Sequence, residues 1–196
     1  SQNDTGIAGA LFALDYVAQE NKLYALNSAR WPPAGWTPEF FKNDLGLDSV
    51  PGSGVNAATV PGAISGYDAL LSRFGTLGFQ ETFERAARIA EEGWGQGERR
   101  HRDLVSSEQR LQNDDYSSEV FLENGKAPDL YKILRNPDLA RALRLIQKDG
   151  RDAFYKGPIG DALIARVQKG GGVMTHADLA EFESEGRWEE RRVGKE

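Results

Sequence analysis

The chain contains no cysteine. That excludes disulfides, thiolate metal sites and cysteine nucleophiles, and leaves the redox compartment open. Histidine is scarce: His101 and His176 stand 75 positions apart, which supplies no metal-ligand spacing, and no metal site is expected. Met174 is the one methionine in 196 residues, so residue 1 is not a start-codon product and the chain is expected to be processed or truncated. No apolar run approaches the roughly 20 residues that span a bilayer, and no signal peptide is visible, so no membrane segment is expected. Positive charge is also in deficit, with 24 Lys and Arg against 30 Asp and Glu. Nucleic-acid binders carry a basic field that attracts phosphates; nucleic acid is not an expected partner.

What is present is the composition of an ordinary globular domain, 39% hydrophobic and 28% charged, long enough to bury a core. Residues 7–27 read as a β-hairpin: the apolar run Ala10–Leu14 suits a strand covered on both faces, Gln19–Lys22 a polar turn, and Leu23–Leu26 the returning strand. Trp31-Pro32-Pro33 and Val60-Pro61-Gly62 break the chain, with a short helix at 37–42 whose cap is Thr37 and whose first position is Pro38. From Gly62 the period becomes helical. One face carries Ile64, Tyr67, Leu70, Leu71 and Phe74, and Gly75 stops it. A second carries Phe79, Phe83, Ala86, Ala87 and Ala90, stopped at Gly93.

Residues 97–118 are polar enough to be a solvated surface element. Asn136-Pro137 starts a helix with Leu139, Ala142, Leu143 and Ile146 inward. Ile159, Leu163 and Val167 mark another, closed by Gly170-Gly171-Gly172, and Thr175 with Asp178 resembles a capping box. One hairpin followed by helices gives an α+β class, with the helices able to cover one face of a sheet. Two strands alone make a poor sheet. Residues 183–196 hold nine charges in fourteen positions. The string EERRVGKE resembles vector-derived sequence, which divides the chain into a domain at 1–185 and a non-native tail at 186–196.

The residues contain no self-evident catalytic group. His101 lies in the charge run 98–103 and reads as solvated; His176 reads as a first-turn surface residue. No serine sits in a G-x-S-x-G elbow. Asn113-Asp114-Asp115 lacks the glycine and terminal glutamate of a calcium loop and reads as a turn. The triple glycine lacks a phosphate-loop frame. Arg30 is the isolated cation of interest. It follows a strand, and a guanidinium there can hold a carboxylate through two parallel hydrogen bonds; the other reading is a plain surface arginine.

Several segments, in order, resemble the gamma-glutamyltransferase (gamma-glutamyltranspeptidase, glutathione hydrolase) family. These are Gly6–Phe12, Lys22–Ala29, Thr59–Tyr67, Arg73–Leu77, Ala86–Gly93, Asn136–Ala140, Gly150–Gly157 and Gly171–Thr175 with Asp178-Leu179-Ala180. The resemblance implies a large-subunit portion of an N-terminal-nucleophile αββα sandwich, without metal or organic cofactor. In such a family the precursor cuts itself. The new amino-terminal threonine of the small subunit then attacks a gamma-glutamyl carbonyl, with its own α-amine as base, and the acyl group passes to water or to an amino acid or peptide. Glutathione-like amides and the small subunit are thus the implied partners.

None of Thr5, Thr37, Thr59, Thr76, Thr82 and Thr175 falls in the nucleophile's context, so no catalytic residue is expected in this chain and the piece alone is expected to be inactive. Typical transpeptidases carry a carboxylate-binding arginine in an R-E-x-A-P-like run after the second strand. Here Ala29 aligns with it and Arg30 comes one place later, in an N-S-A-R-W-P-P run closer to a divergent branch that favours other amides or hydrolysis. Arg30 is the implied substrate ligand. The rival from another class is a non-catalytic helical binding module.

Overall fold

The computed structural model describes residues 6–29 and 31–187. Alternation, rather than the continuous apolar run, governs the first strand. β1 (Leu11–Val17) and β2 (Lys22–Ser28) form an antiparallel hairpin in the register Leu11↔Ser28 to Val17↔Lys22. Asn21 takes a left-handed φ of 51° to close the turn. Tyr24, Leu26 and Ser28 are buried on the inner face. On the outer face Phe12, Leu14 and Tyr16 are 68, 72 and 61% exposed. The expectation of a strand covered on both faces is therefore corrected for the described residues: the apolar run hides a period of two, with one face packed and one open. A third strand, β5 (Glu185–Arg187), pairs antiparallel with β2 at Ala25–Asn27, giving the order β1-β2-β5.

The chain divides into two compact units, residues 1–79 with 148–196, and residues 80–147. In the first, α1 (Ala63–Phe74) lies on the inner face of the hairpin. Its first four residues are buried, and Gly66 gives the close approach: a Cβ there would meet Leu11 Cδ2 at 2.6 Å and Ser28 Cβ at 2.8 Å. α6 (Arg151–Tyr155), α7 (Pro158–Lys169) and α8 (His176–Ala180) complete this unit. Its core includes Ile64, Phe154, Tyr155, Ile164, Met174, Leu179 and Phe182. On α7 the buried side chains are Ile164 and Val167, so the face is rotated from the expected one, leaving Ile159 and Leu163 half-buried. The turn after Thr37 is a short π-helix, Phe40–Asp44, with the Phe40 amide donating to Thr37 Oγ1 at 3.1 Å.

The second unit is built on α2 (Phe79–Glu92), which enters it from residue 79, and α5 (Pro137–Asp149), which leaves it at residue 147. Phe83, Ala87 and Ala90 are buried on one helix, and Ala140, Leu143 and Ile146 on the other. Gly93, at φ 104°, turns the chain into β3 (Trp94–Gly95), which pairs with β4 (Ile133–Leu134). Between them, α3 (Glu98–Gln112) and α4 (Asp115–Phe121) carry the polar stretch. Asp114 caps α4, its carboxylate accepting from the Ser117 amide at 2.9 Å. His101 departs from expectation: it is half-buried rather than solvated. Its Nδ1 lies 3.0 Å from the Pro128 carbonyl and 3.1 Å from Nε2 of the fully buried Gln96, because the loop at 128 returns over the start of α3.

Candidate functional site

The arrangement that could serve a ligand is the exit of β2, within the first unit. Asn27 bends the chain there, its Oδ1 accepting from the Ala29 amide at 2.9 Å. Arg30 lies outside the described residues. The chain is held again at Trp31, whose carbonyl accepts from the Val60 amide at 2.8 Å in an isolated antiparallel bridge.

Val60-Pro61-Gly62 then enters α1. The opening turn of a helix leaves backbone donors without intrahelical partners. Here the Gly62 and Ala63 amides both donate to the Gly9 carbonyl at 2.9 Å, and the Ser65 amide donates to the Tyr155 phenol oxygen at 3.2 Å. Their acceptors come from the protein, so these donors do not form a ready anion cradle.

Tyr155 ties the arrangement together. Its hydroxyl donates to the Pro61 carbonyl at 2.7 Å, and its ring stacks on Phe182 at 5.8 Å with 5° between planes. Trp31 packs tilted on the same Phe182, ring centroids 5.1 Å apart. The Arg151 guanidinium lies 4.9 Å from the Tyr155 ring centre, donates to the Phe182 carbonyl and pairs with Glu183 at 3.1 Å. Burial pushes the Tyr155 phenol up to about 12, with the Ser65 amide pulling the other way. Burial also raises the Asp68 carboxyl, against the pull of Arg151.

The turn after Trp31 is fixed from a distant part of the chain. The Ala34 amide donates to Asp178 Oδ1 at 2.8 Å. Oδ2 of the same carboxylate accepts from the Thr175 amide at 2.7 Å and the Thr175 hydroxyl at 2.8 Å, completing the capping box of α8. Sequence reasoning found that box but not its second duty, since a bond spanning 144 positions leaves no local signature. Tyr155 was missed likewise, since its partner Pro61 lies 94 positions away and the charged neighbours Arg151, Asp152 and Lys156 give no sign of its burial.

The arrangement can hold and orient. The histidines face groups other than a serine or threonine hydroxyl: His176 Nε2 lies 3.1 Å from Asp161, and His101 faces Gln96 and Pro128. Among the described residues no cluster of three His, Cys, Asp or Glu could hold a metal, and no helix is long and apolar enough to cross a membrane. On the outer face of the hairpin, Phe12, Leu14, Ala25 and Asn27 help to line an open apolar depression of about 600 Å³.

Comparison with known proteins places these features in context. The family described as gamma-glutamyltranspeptidase matches residues 1–190. A glutathione hydrolase proenzyme of Bacillus subtilis (strain 168) is 30% identical over 182 residues, covering 91% of this chain and 31% of that protein. The crystal structure of Helicobacter pylori gamma-glutamyltranspeptidase superposes with a TM-score of 0.89 at 25% identity, over 95% of this chain and 54% of that one. The cephalosporin acylase of Bacillus halodurans superposes at 0.86 and 30% identity, over 93% and 35%. The chain spans between 28 and 33% of the length of three such curated relatives.

Proposed function

Because the chain belongs to the gamma-glutamyltranspeptidase family and carries part of its N-terminal-nucleophile fold, we propose that it is a large-subunit portion of a proenzyme that cleaves gamma-glutamyl amides. The observation that carries this reading is the match across residues 1–190, joined to the likeness in fold to the Helicobacter pylori transpeptidase. In this reading the attacking threonine belongs to the small subunit of the same precursor, outside this chain. Its hydroxyl oxygen bonds to the gamma-glutamyl carbonyl carbon as its proton passes to the α-amine. The amine leaving group takes a proton as the C–N bond breaks, and water or an amino acid then receives the acyl group.

What this chain contributes is placement. Arg30, between Asn27-Ser28-Ala29 and Trp31-Pro32-Pro33, is the ligand for the substrate α-carboxylate, a role that suits a planar two-pronged donor. Glutathione is the natural first substrate, since the Bacillus subtilis relative is named a glutathione hydrolase. The likeness to a cephalosporin acylase favours a second reading, in which the parent hydrolyses another amide and transfers little.

The test is kinetic, on the full-length protein that contains this chain. Wild-type protein turns over a gamma-glutamyl anilide, and Arg30→Ala raises KM while leaving kcat within about threefold. An unchanged KM removes Arg30 from the binding role. The piece alone is inactive in this reading, and any turnover by it would support a different enzyme. A cooperative melt and monomeric behaviour of residues 1–185 would favour the non-catalytic binding module.

A further inference from the structure

We infer that Asp178 is a positioning residue for substrate binding, acting through the turn Pro33-Ala34-Gly35. This inference rests on the reading above, in which the exit of β2 faces the substrate.

Three observations converge on it. First, Asp178 divides its carboxylate. Oδ2 receives both donors of Thr175, and with the Asp178 amide donating to Thr175 Oγ1 at 3.3 Å these bonds make the cap of α8 without Oδ1. Oδ1 is directed to the Ala34 amide at 2.8 Å, a bond that does nothing for α8. Charge-assisted bonds of this kind are short and directional. Second, the turn is seated against the same segment that carries the carboxylate. A Cβ on Gly35 would stand 2.8 Å from Val173 Cγ2 and 2.9 Å from Val173 Cβ, so the backbone at 35 lies directly on the residue two before Thr175. Third, the turn closes on itself, the Trp36 amide donating to the Pro33 carbonyl at 2.9 Å and the Thr37 amide to the Gly35 carbonyl at 3.1 Å. Pro33 is fully buried. Upstream, Trp31 is fixed by Val60 and Phe182.

The segment that follows Arg30 is therefore held at Trp31 by Val60 and Phe182, and at Ala34 by Asp178. A ligand-binding group precise to a fraction of an ångström needs such support from groups that do not touch the ligand. Releasing the second anchor would widen the range of positions open to the segment and weaken substrate binding. Chemistry carried out by a nucleophile elsewhere would be little changed.

The experiment uses the full-length protein and a gamma-glutamyl anilide, with amide hydrogen exchange at Ala34 as a second readout. Asp178→Ala removes both duties of the carboxylate. Thr175→Val removes the hydroxyl half of the cap and leaves the Ala34 bond. Ala34→Pro removes the donor and leaves the cap whole, and it stands in should Asp178→Ala not fold. We expect Asp178→Ala and Ala34→Pro each to raise KM about tenfold with kcat within about threefold. Thr175→Val should leave KM and Ala34 exchange unchanged, whereas Asp178→Ala should speed that exchange at least about tenfold.

Unchanged KM in both Asp178→Ala and Ala34→Pro overturns the inference. An equal KM rise in Thr175→Val also overturns it, because the effect would then be the folding of α8. Arg30→Ala separates the two claims. A KM rise there without one in Asp178→Ala leaves the carboxylate reading standing and removes this one. The reverse result keeps Asp178 as the anchor and dismisses Arg30.

Discussion

The Ser28 hydroxyl donates to the Gly62 carbonyl at 2.6 Å, and a Cβ built on Gly62 would stand 2.2 Å from the Ser28 carbonyl oxygen. The last residue of β2 and the residue before α1 thus share one packed backbone contact, with no volume for a methyl group. Gly62 has φ −104°, so its requirement is space and not a left-handed conformation. Gly62→Ala must push strand and helix apart. The expected cost is about 3 kcal/mol, at the upper end for overpacking, because backbone rather than a flexible side chain must yield. Chemical denaturation of the full-length protein checks this. A loss below about 0.5 kcal/mol would show that the helix start is not held against the strand.

The phenol of Tyr155 is both donor, to Pro61, and acceptor, from Ser65. Tyr155→Phe leaves a buried amide and a buried carbonyl without that partner, at an expected cost of about 2 kcal/mol. The pH dependence carries a sharper signature. The phenol's ordinary value is 10.0, and in the fold it is pushed up to about 12 by burial. The unfolded chain therefore releases this proton first as pH rises. The stability tied to the protonated phenol is whole below pH 10 and is lost between pH 10 and about 12. Wild-type protein should lose stability across that window more steeply than Tyr155→Phe, which has no proton to release. Parallel alkaline unfolding curves would contradict the assignment.

In the second unit, Arg144 on α5 bonds both Glu84 and Glu91 of α2, reaching Glu91 at 3.0 Å, and also Gln147 at 2.9 Å. Hydrogen bonds from the guanidinium hold both glutamates below their ordinary range. A lowered carboxylate contributes stability above its unfolded value, and that contribution disappears as pH falls through the folded value. Arg144→Met should therefore lower stability slightly near neutral pH and make the loss of stability below pH 4.5 shallower. Added salt should shrink the difference, since these side chains face solvent. Urea midpoints at pH 3 to 7, with and without about 0.5 M salt, which cuts the screening length to roughly half its physiological value of about 8 Å, decide it. An acid limb as steep in the variant as in the wild type would remove the network from the account.

These relationships mark how far the sequence could be read. Elements set by local chemistry were legible. They include the hairpin at 11–28, the starts at Asn136-Pro137 and Thr175, and the stops at Gly75 and Gly93, since each depends on a few neighbouring residues. The relations that matter for the site were not, because each joins distant positions. Asp178 meets Ala34 across 144 residues and Tyr155 meets Pro61 across 94. His101 was misread as solvated because Pro128, which covers it, lies 27 residues on. The open face of β1 was hidden by composition: Phe12, Leu14 and Ala13 are all apolar, so no polar residue marks the outward side. Arg30 itself, the expected ligand, lies outside the described residues.

The outward row Phe12, Leu14 and Tyr16 supports the last prediction. Three large apolar side chains more than 60% exposed on one strand face make a surface that soluble proteins usually cover. This chain spans 28 and 31% of the length of two glutathione hydrolase relatives, and we propose that in the whole protein sheet from outside this chain covers the face. Leu14→Lys separates that arrangement from a self-sufficient domain by acting in opposite directions in two contexts. In residues 1–187 produced alone, the charge should suppress association and shift sedimentation toward the monomer. In the full-length protein the same lysine would be buried between layers without a partner, which costs several kcal/mol. Its unfolding midpoint and yield of folded protein should therefore fall sharply. If Leu14→Lys is tolerated equally in both contexts, the face is open in the whole protein, and the layered arrangement proposed for this chain is wrong.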